Sequence, residues 1–216
     1  MTLLRCLFLA ALATTPAIAQ VPAPNPQPAA PAAAPTPPPP TLSAKSFVLM
    51  DFDSGAVLAS REPEMTVEPA SITKVMTSYI VAAELANGKV KPTDEVFISE
   101  NAWRVGGAGT DGSTSFLQVN SRVALEVLLR GMVVQSGNDA SIALAEHVAG
   151  SEETFAALMN DYAARLGMTG SHFANSTGLP ADGHLTTALD VARLGRALIR
   201  DFPEHYKQYS IKEFTW

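Results

Sequence analysis

Eleven of the sixteen prolines stand in the first forty residues, and five are spread over the other 176. Proline fixes φ near −65° and removes a backbone donor, so neither a helix interior nor a central strand tolerates that density. Gln20–Pro40 is almost entirely Pro and Ala. It reads as an extended, semi-rigid tether that at about 3.1 Å per residue reaches about 60 Å. Ahead of it, Arg5 precedes the apolar run Cys6–Ala13 and the small-x-small sequence Ala17-Ile18-Ala19. That layout predicts a secretory signal peptide, residues 1–19, cut after Ala19. The apolar run is well short of the roughly 20 residues a membrane-spanning helix needs. Cleavage removes Cys6, the only cysteine, leaving a chain without disulfides or a thiol nucleophile.

Folding is therefore expected in 41–216, a length suited to one domain. At 47% apolar and 17% charged the chain is too apolar for disorder and too charge-poor for a coiled coil. Its net charge of −6 and lack of a Lys/Arg cluster argue against nucleic acid as a partner. Lys45–Asp51 and Ala56–Ser60 read as strands joined by a turn at Phe52–Gly55. Helices are expected from Ser71 to Asn87-Gly88, from Ser121 to Met132, from Asp139 to His147, from Ser151 to Gly167 and from Thr187 to Arg200. Val96–Ile98 suggests a short strand in the otherwise irregular stretch Lys89–Gly112, and Arg104–Ser115 and Asn175–His184 read as loops. Arg193, Arg196 and Arg200 recur at helical spacing and read as a solvated cationic face.

Two short patterns can carry chemistry. In Ser71-Ile72-Thr73-Lys74, residues three apart share a helical face, so the hydroxyl and the amine can meet. The helix N-terminus there favours developing negative charge. A lysine at about pKa 10.4 is a poor base at neutral pH, so the pair needs a dry helix face to lower it. Roughly one Ser-x-x-Lys arises by chance in a chain this long, and a capping serine beside a solvated lysine would look the same. Ser136-Gly137-Asn138 follows the apolar run Gly131–Val134 and precedes a helix, a setting for a held turn. Ser99-Glu100-Asn101 matches the same pattern in a polar stretch, where Ser99 reads as a helix cap.

With their surroundings these patterns resemble the serine D-alanyl-D-alanine carboxypeptidases, the low-molecular-mass penicillin-binding proteins. EPASITKVMTSYIVAAEL, DGSTSFL, LLRGMVVQSGNDASIALAEHVAGSEETFAALMN, LGMTGSHFANSTGLPADGHLTTALDVARLGRALI and YSIKEFTW occur in the family's order, so the resemblance covers Ser46–Trp216. It implies an α/β (α+β) fold of the β-lactamase/transpeptidase type, a helical cluster against an antiparallel sheet. It implies Ser71 as the acylated nucleophile, Lys74 as its base, Ser136 as a proton relay to the leaving group and Asn138 as a holder of Lys74 and the substrate amide. The implied partners are peptidoglycan stem peptides ending in D-Ala-D-Ala and β-lactams, in the periplasm or at the outer face of the bacterial cytoplasmic membrane.

The family's Lys-Thr-Gly is missing. Met168-Thr169-Gly170 and Ser176-Thr177-Gly178 lack the lysine. In the family that motif lies on a later strand, supplying a carboxylate-binding lysine and an oxyanion N–H. Loss of one oxyanion donor costs roughly 10²–10³ in rate. The expectation is a chain truncated before that motif, lacking the later strands of the sheet, poorly folded and inactive by itself. Membrane association through a C-terminal region absent here stays open. A β-lactamase is an alternative, but its Glu-x-x-x-Asn pentad does not occur. A murein endopeptidase and a non-catalytic wall-binding relative are the others. No cofactor is expected, and His147, His172, His184 and His205 show no metal-binding spacing. His184 is expected to support the cleft at most.

Overall fold

The computed structural model describes residues 41–107, 110 and 112–215. The signal segment and the tether expected at 1–19 and 20–40 lie outside the described residues.

Phe47–Met50 (β1) and Val57–Arg61 (β2) pair antiparallel, with Phe47 opposite Arg61 and a register shift between Leu49 and Met50. The Asp51 carboxylate closes the turn by accepting from the backbone N–H and hydroxyl of Ser54, which holds its pKa below the usual value. Gly55, at φ +75°, takes the left-handed position.

Thr73–Ala86 (α1) is buried along almost its whole length, polar Thr77, Ser78 and Glu84 included. Glu95–Phe97 (β3) leads into the short helix Glu100–Gly106 (α2), capped by Ser99, whose hydroxyl accepts from Ala102 N–H at 3.0 Å. Arg122–Ala124 (β4) pairs antiparallel with β3. Then come Leu125–Gln135 (α3), Asn138–Ala149 (α4) and Glu152–Arg165 (α5), followed by Ala188–Asp201 (α6) and the single turn Pro203–Tyr206 (α7).

Two apolar clusters form the core. One gathers Val81, Val96, Ile98, Leu125, Leu128 and Ile142; the other gathers Met76, Ile80, Phe155, Met159, Leu194 and Leu198. Both α1 and α4 contribute to each cluster, so these helices form the partition between them. Full burial of such side chains is worth about 1.5–3 kcal/mol each. That is why α1 shows no amphipathic stripe while α6, packed on one side only, does.

Three sequence expectations need correction. A helix does not begin at Ser121. Residues 122–124 are extended, and Leu125 and Glu126 donate to the carbonyls of Asp94 and Pro92. Backbone oxygens from a distant loop do the capping, which leaves no side-chain signal. Helix α2 lies in a stretch expected to be irregular; at seven residues it is too short for a periodic pattern to emerge. The arginine face of α6 is not simply solvated. Arg196 donates to the carbonyls of Phe52 and Asp53 at 2.6 and 2.8 Å, clamping the hairpin, and Arg193 donates to Gly167 O and Asp190. The α+β expectation holds, with the strands in two separate antiparallel pairs.

Candidate active site

Ser71 sits in a 3₁₀ turn, Ala70–Ile72, immediately before α1 rather than in its first turn. Three residues per turn bring positions i and i+3 nearly into eclipse, and Lys74 Nζ reaches Ser71 Oγ at 3.1 Å. The two groups differ in environment: Ser71 is exposed, whereas Lys74 is 5% exposed. Its second partner is the carbonyl of Thr177 at 2.8 Å. No carboxylate pairs with it among the described residues. Burial alone lowers its pKa to about 8, so about a tenth of the amine is neutral at pH 7.

The Thr177 carbonyl is held from several sides. Asn175 Oδ1 accepts from Thr177 N–H, Thr177 hydroxyl and Gly178 N–H, an Asx turn. Ser176 donates through N–H and hydroxyl to Glu152. The Ser176 carbonyl accepts from Thr77 of α1 and Ser141 of α4, at 2.7 and 2.8 Å. Gly178, at φ +88°, lets the loop press on the nucleophile turn, because a Cβ there would lie 1.8 Å from Ala70 O. Ala70 is itself left-handed at φ +46°; such strain persists where surrounding contacts over-determine it.

Two supports were not anticipated in full. His184 is buried, with Nδ1 accepting from Ala174 N–H, so its Nε2–H donates to Thr73 Oγ1 at 2.8 Å and props the first residue of α1. Burial lowers its pKa, favouring this neutral form. Asp139, 0% exposed, accepts from Thr114 hydroxyl, the N–H groups of Ser115 and Leu117, and its neighbour Ala140 N–H. It straps the 113–117 segment beside the Ser136 turn. An Asp following Ser-x-Asn is the only sequence hint of this role.

Ser136 adopts left-handed geometry at φ 60°, ending α3, and Asn138 opens α4 with its N–H on Ser113 O. Asn138 is buried, and its Nδ2 would lie 2.5 Å from a Cβ at Gly112. Among the described residues no hydrogen bond joins Ser136 or Asn138 to Ser71 or Lys74. Their relation runs through shared faces. Asn138 is one turn before Ser141 on α4, Lys74 is one turn before Thr77 on α1, and Ser141 and Thr77 meet at one carbonyl. A larger, mostly apolar groove of about 530 Å³ beside β1 is lined by Ile72 and Val67 but by neither Ser71 nor Lys74. No group of three or more His, Cys, Asp or Glu suited to a metal ion occurs among the described residues.

An exposed serine touching a buried lysine that has no carboxylate beside it among the described residues is the arrangement that comparison with known proteins can decide. The sequence pattern of the family described as D-alanyl-D-alanine carboxypeptidase matches residues 32–216. The chain belongs to the D-alanyl-D-alanine carboxypeptidase family. It is 46% identical over 177 residues to D-alanyl-D-alanine carboxypeptidase DacC of Escherichia coli, covering 82% of this chain and 44% of that one. DacA of the same organism is 44% identical over 176 residues, covering 81% and 44%. Among solved structures, penicillin binding protein 5 from Haemophilus influenzae superposes with a TM-score of 0.80 at 43% identity, covering 84% of this chain and 52% of that one. The chain thus spans under half the length of these curated carboxypeptidases.

Proposed function

We propose that the protein is a serine-type D-Ala-D-Ala carboxypeptidase that removes the terminal D-alanine from peptidoglycan stem peptides. The observation that carries this is the 3.1 Å contact between exposed Ser71 and a buried Lys74 whose pKa lies near 8. Ser71 Oγ attacks the carbonyl carbon of the penultimate D-alanine and its proton passes to neutral Lys74. The oxyanion forms near the N-terminal end of α1, where the helix dipole stabilises it. Collapse breaks the peptide C–N bond, and the departing D-alanine amine takes the proton, with Ser136 as the relay. Water, deprotonated by Lys74, then attacks the Ser71 ester and frees the enzyme. Asn138, on the facing helix, orients the substrate amide. β-Lactams acylate the same hydroxyl by opening of their ring. The penicillin-binding relatives and the expected signal peptide support an exported location at the bacterial cell wall.

Lys-Thr-Gly does not occur in these 216 residues, so the test uses the complete product of the gene. D-Alanine release from a D-Ala-D-Ala peptide and a covalent penicillin adduct mapped to residue 71 are expected together. Ser71→Ala abolishes both, and Lys74→Met slows acylation by about 10²–10⁴ with the peptide still bound. Turnover that survives Ser71→Ala contradicts the proposal, as does peptide binding with no turnover in the wild type.

A further inference from the structure

A second concavity, about 460 Å³, lies away from Ser71 between the hairpin turn and the helices α5 and α6. Four guanidinium groups line it: Arg165 from the end of α5 and Arg193, Arg196 and Arg200 from α6. Among the described residues no Asp or Glu lines it. In a chain of net charge −6, four arginines converging on one cavity is a concentration that composition does not explain, although each has a carboxylate near it.

The arginines are partly engaged from outside the cavity. Asp161, Asp190 and Asp201 pair with Arg165, Arg193 and Arg200. Arg196 donates to two backbone carbonyls, and the Asp51 carboxylate is near enough for the two charges to interact. These contacts fix the guanidinium planes while leaving donors unused. Among the described residues no hydrogen bond leaves Nε or Nη2 of Arg193, Nη1 of Arg196 or Nη1 of Arg200. A planar carboxylate is satisfied by one arginine fork, whereas a tetrahedral phosphate offers oxygens to several forks arriving from different elements. Two helices and a turn converge here, which suits the tetrahedral anion.

We propose that this cavity binds a phosphate-bearing ligand, either a soluble phosphate ester or the phosphodiester headgroup of an anionic lipid. The site is independent of the Ser71 chemistry and stands or falls separately from it.

The test uses the full chain with two probes at matched ionic strength: inorganic pyrophosphate, followed by calorimetry, and phosphatidylglycerol vesicles against phosphatidylcholine vesicles, followed by co-sedimentation. The informative variant is Arg165→Gln with Arg200→Gln, which leaves the Arg196 clamp on the hairpin and the Arg193 bond to Gly167 untouched. Should that pair lose its thermal transition, Arg200→Gln alone replaces it. Saturable pyrophosphate binding, weakened about tenfold in the variant, assigns a soluble phosphate ester. Retention on phosphatidylglycerol but not phosphatidylcholine, lost in the variant, assigns a lipid headgroup. In either case added salt weakens binding, as screening of exposed charge requires. Absence of saturable binding in both arms overturns the proposal. So does binding that the variant leaves unchanged.

Discussion

At the residue scale, the central economy is that of Lys74. An ammonium taken out of water without a carboxylate costs several kcal/mol, and here the cost appears as a pKa of about 8. The folded chain holds that proton less tightly than the unfolded chain, so Lys74 opposes folding below about pH 8. The opposition fades as pH rises from about 8 toward the ordinary value of 10.5. A carboxylate beside Lys74 would remove the strain and the base together. Gly178 is a second position where a side chain does not fit. Gly178→Ala must fit a methyl group 1.8 Å from Ala70 O at a left-handed φ. We expect a loss of about 2–4 kcal/mol in denaturant unfolding and slower acylation by penicillin in the complete protein, because the turn carrying Ser71 shifts. A variant with wild-type stability and acylation would show that the loop does not brace that turn. The Ser71–Lys74 spacing was legible because side chains three apart on a helix meet by geometry. The Thr177 carbonyl was not, since every residue has a carbonyl and only the fold selects one.

At the element scale, α6 shows which signals a sequence carries and which it hides. Thr187 caps it as the letters suggest, accepting from Asp190 N–H at 3.1 Å. The reciprocal half of a capping box is absent, because the Asp190 carboxylate instead holds Gly170 N–H, Ser171 and Arg193. Its arginines read as a solvated face because periodicity records which side of a helix they share, not what lies opposite. Arg196→Gln removes two charged donors from the hairpin turn. Expected are a cost of about 1–3 kcal/mol and faster hydrogen exchange at the Asp51 and Gly55 amides, with α1 amides protected as before. Unchanged exchange in the turn would mean that β1 and β2 hold their register without the clamp. Likewise the start of α3 was misread for a physical reason: the carbonyls of Pro92 and Asp94, some thirty residues upstream, satisfy its first N–H groups. The caps of α2 and α5 use adjacent serines and were readable.

At the scale of the whole molecule, family membership was legible from the order of motifs, while the arrangement of α1 and α4 as a shared wall was not, since both are buried nearly all round, polar residues included, and no apolar stripe marks a facing side. Helix α1 also bears on the response to acid. Ser78 of α1 lies 2.6 Å from His205, which burial holds near a pKa of about 4. Its folded pKa is below the ordinary 6.5, so its contribution is present above pH 6.5 and is lost as pH falls toward 4. Thermal unfolding of His205→Gln should therefore show a smaller drop between pH 6.5 and 4 than the wild type, whereas an equal drop would exclude His205 as a source. The same wall, with the 175–178 loop laid across it, is what dries Lys74. The most direct test is to follow the Lys74 side-chain ¹³Cε resonance against pH, assigned by its loss in Lys74→Met. A midpoint near 8 is the result this structure requires, and a midpoint at the ordinary value of 10.5 would mean that the amine stays in water and that Ser71 has no base beside it.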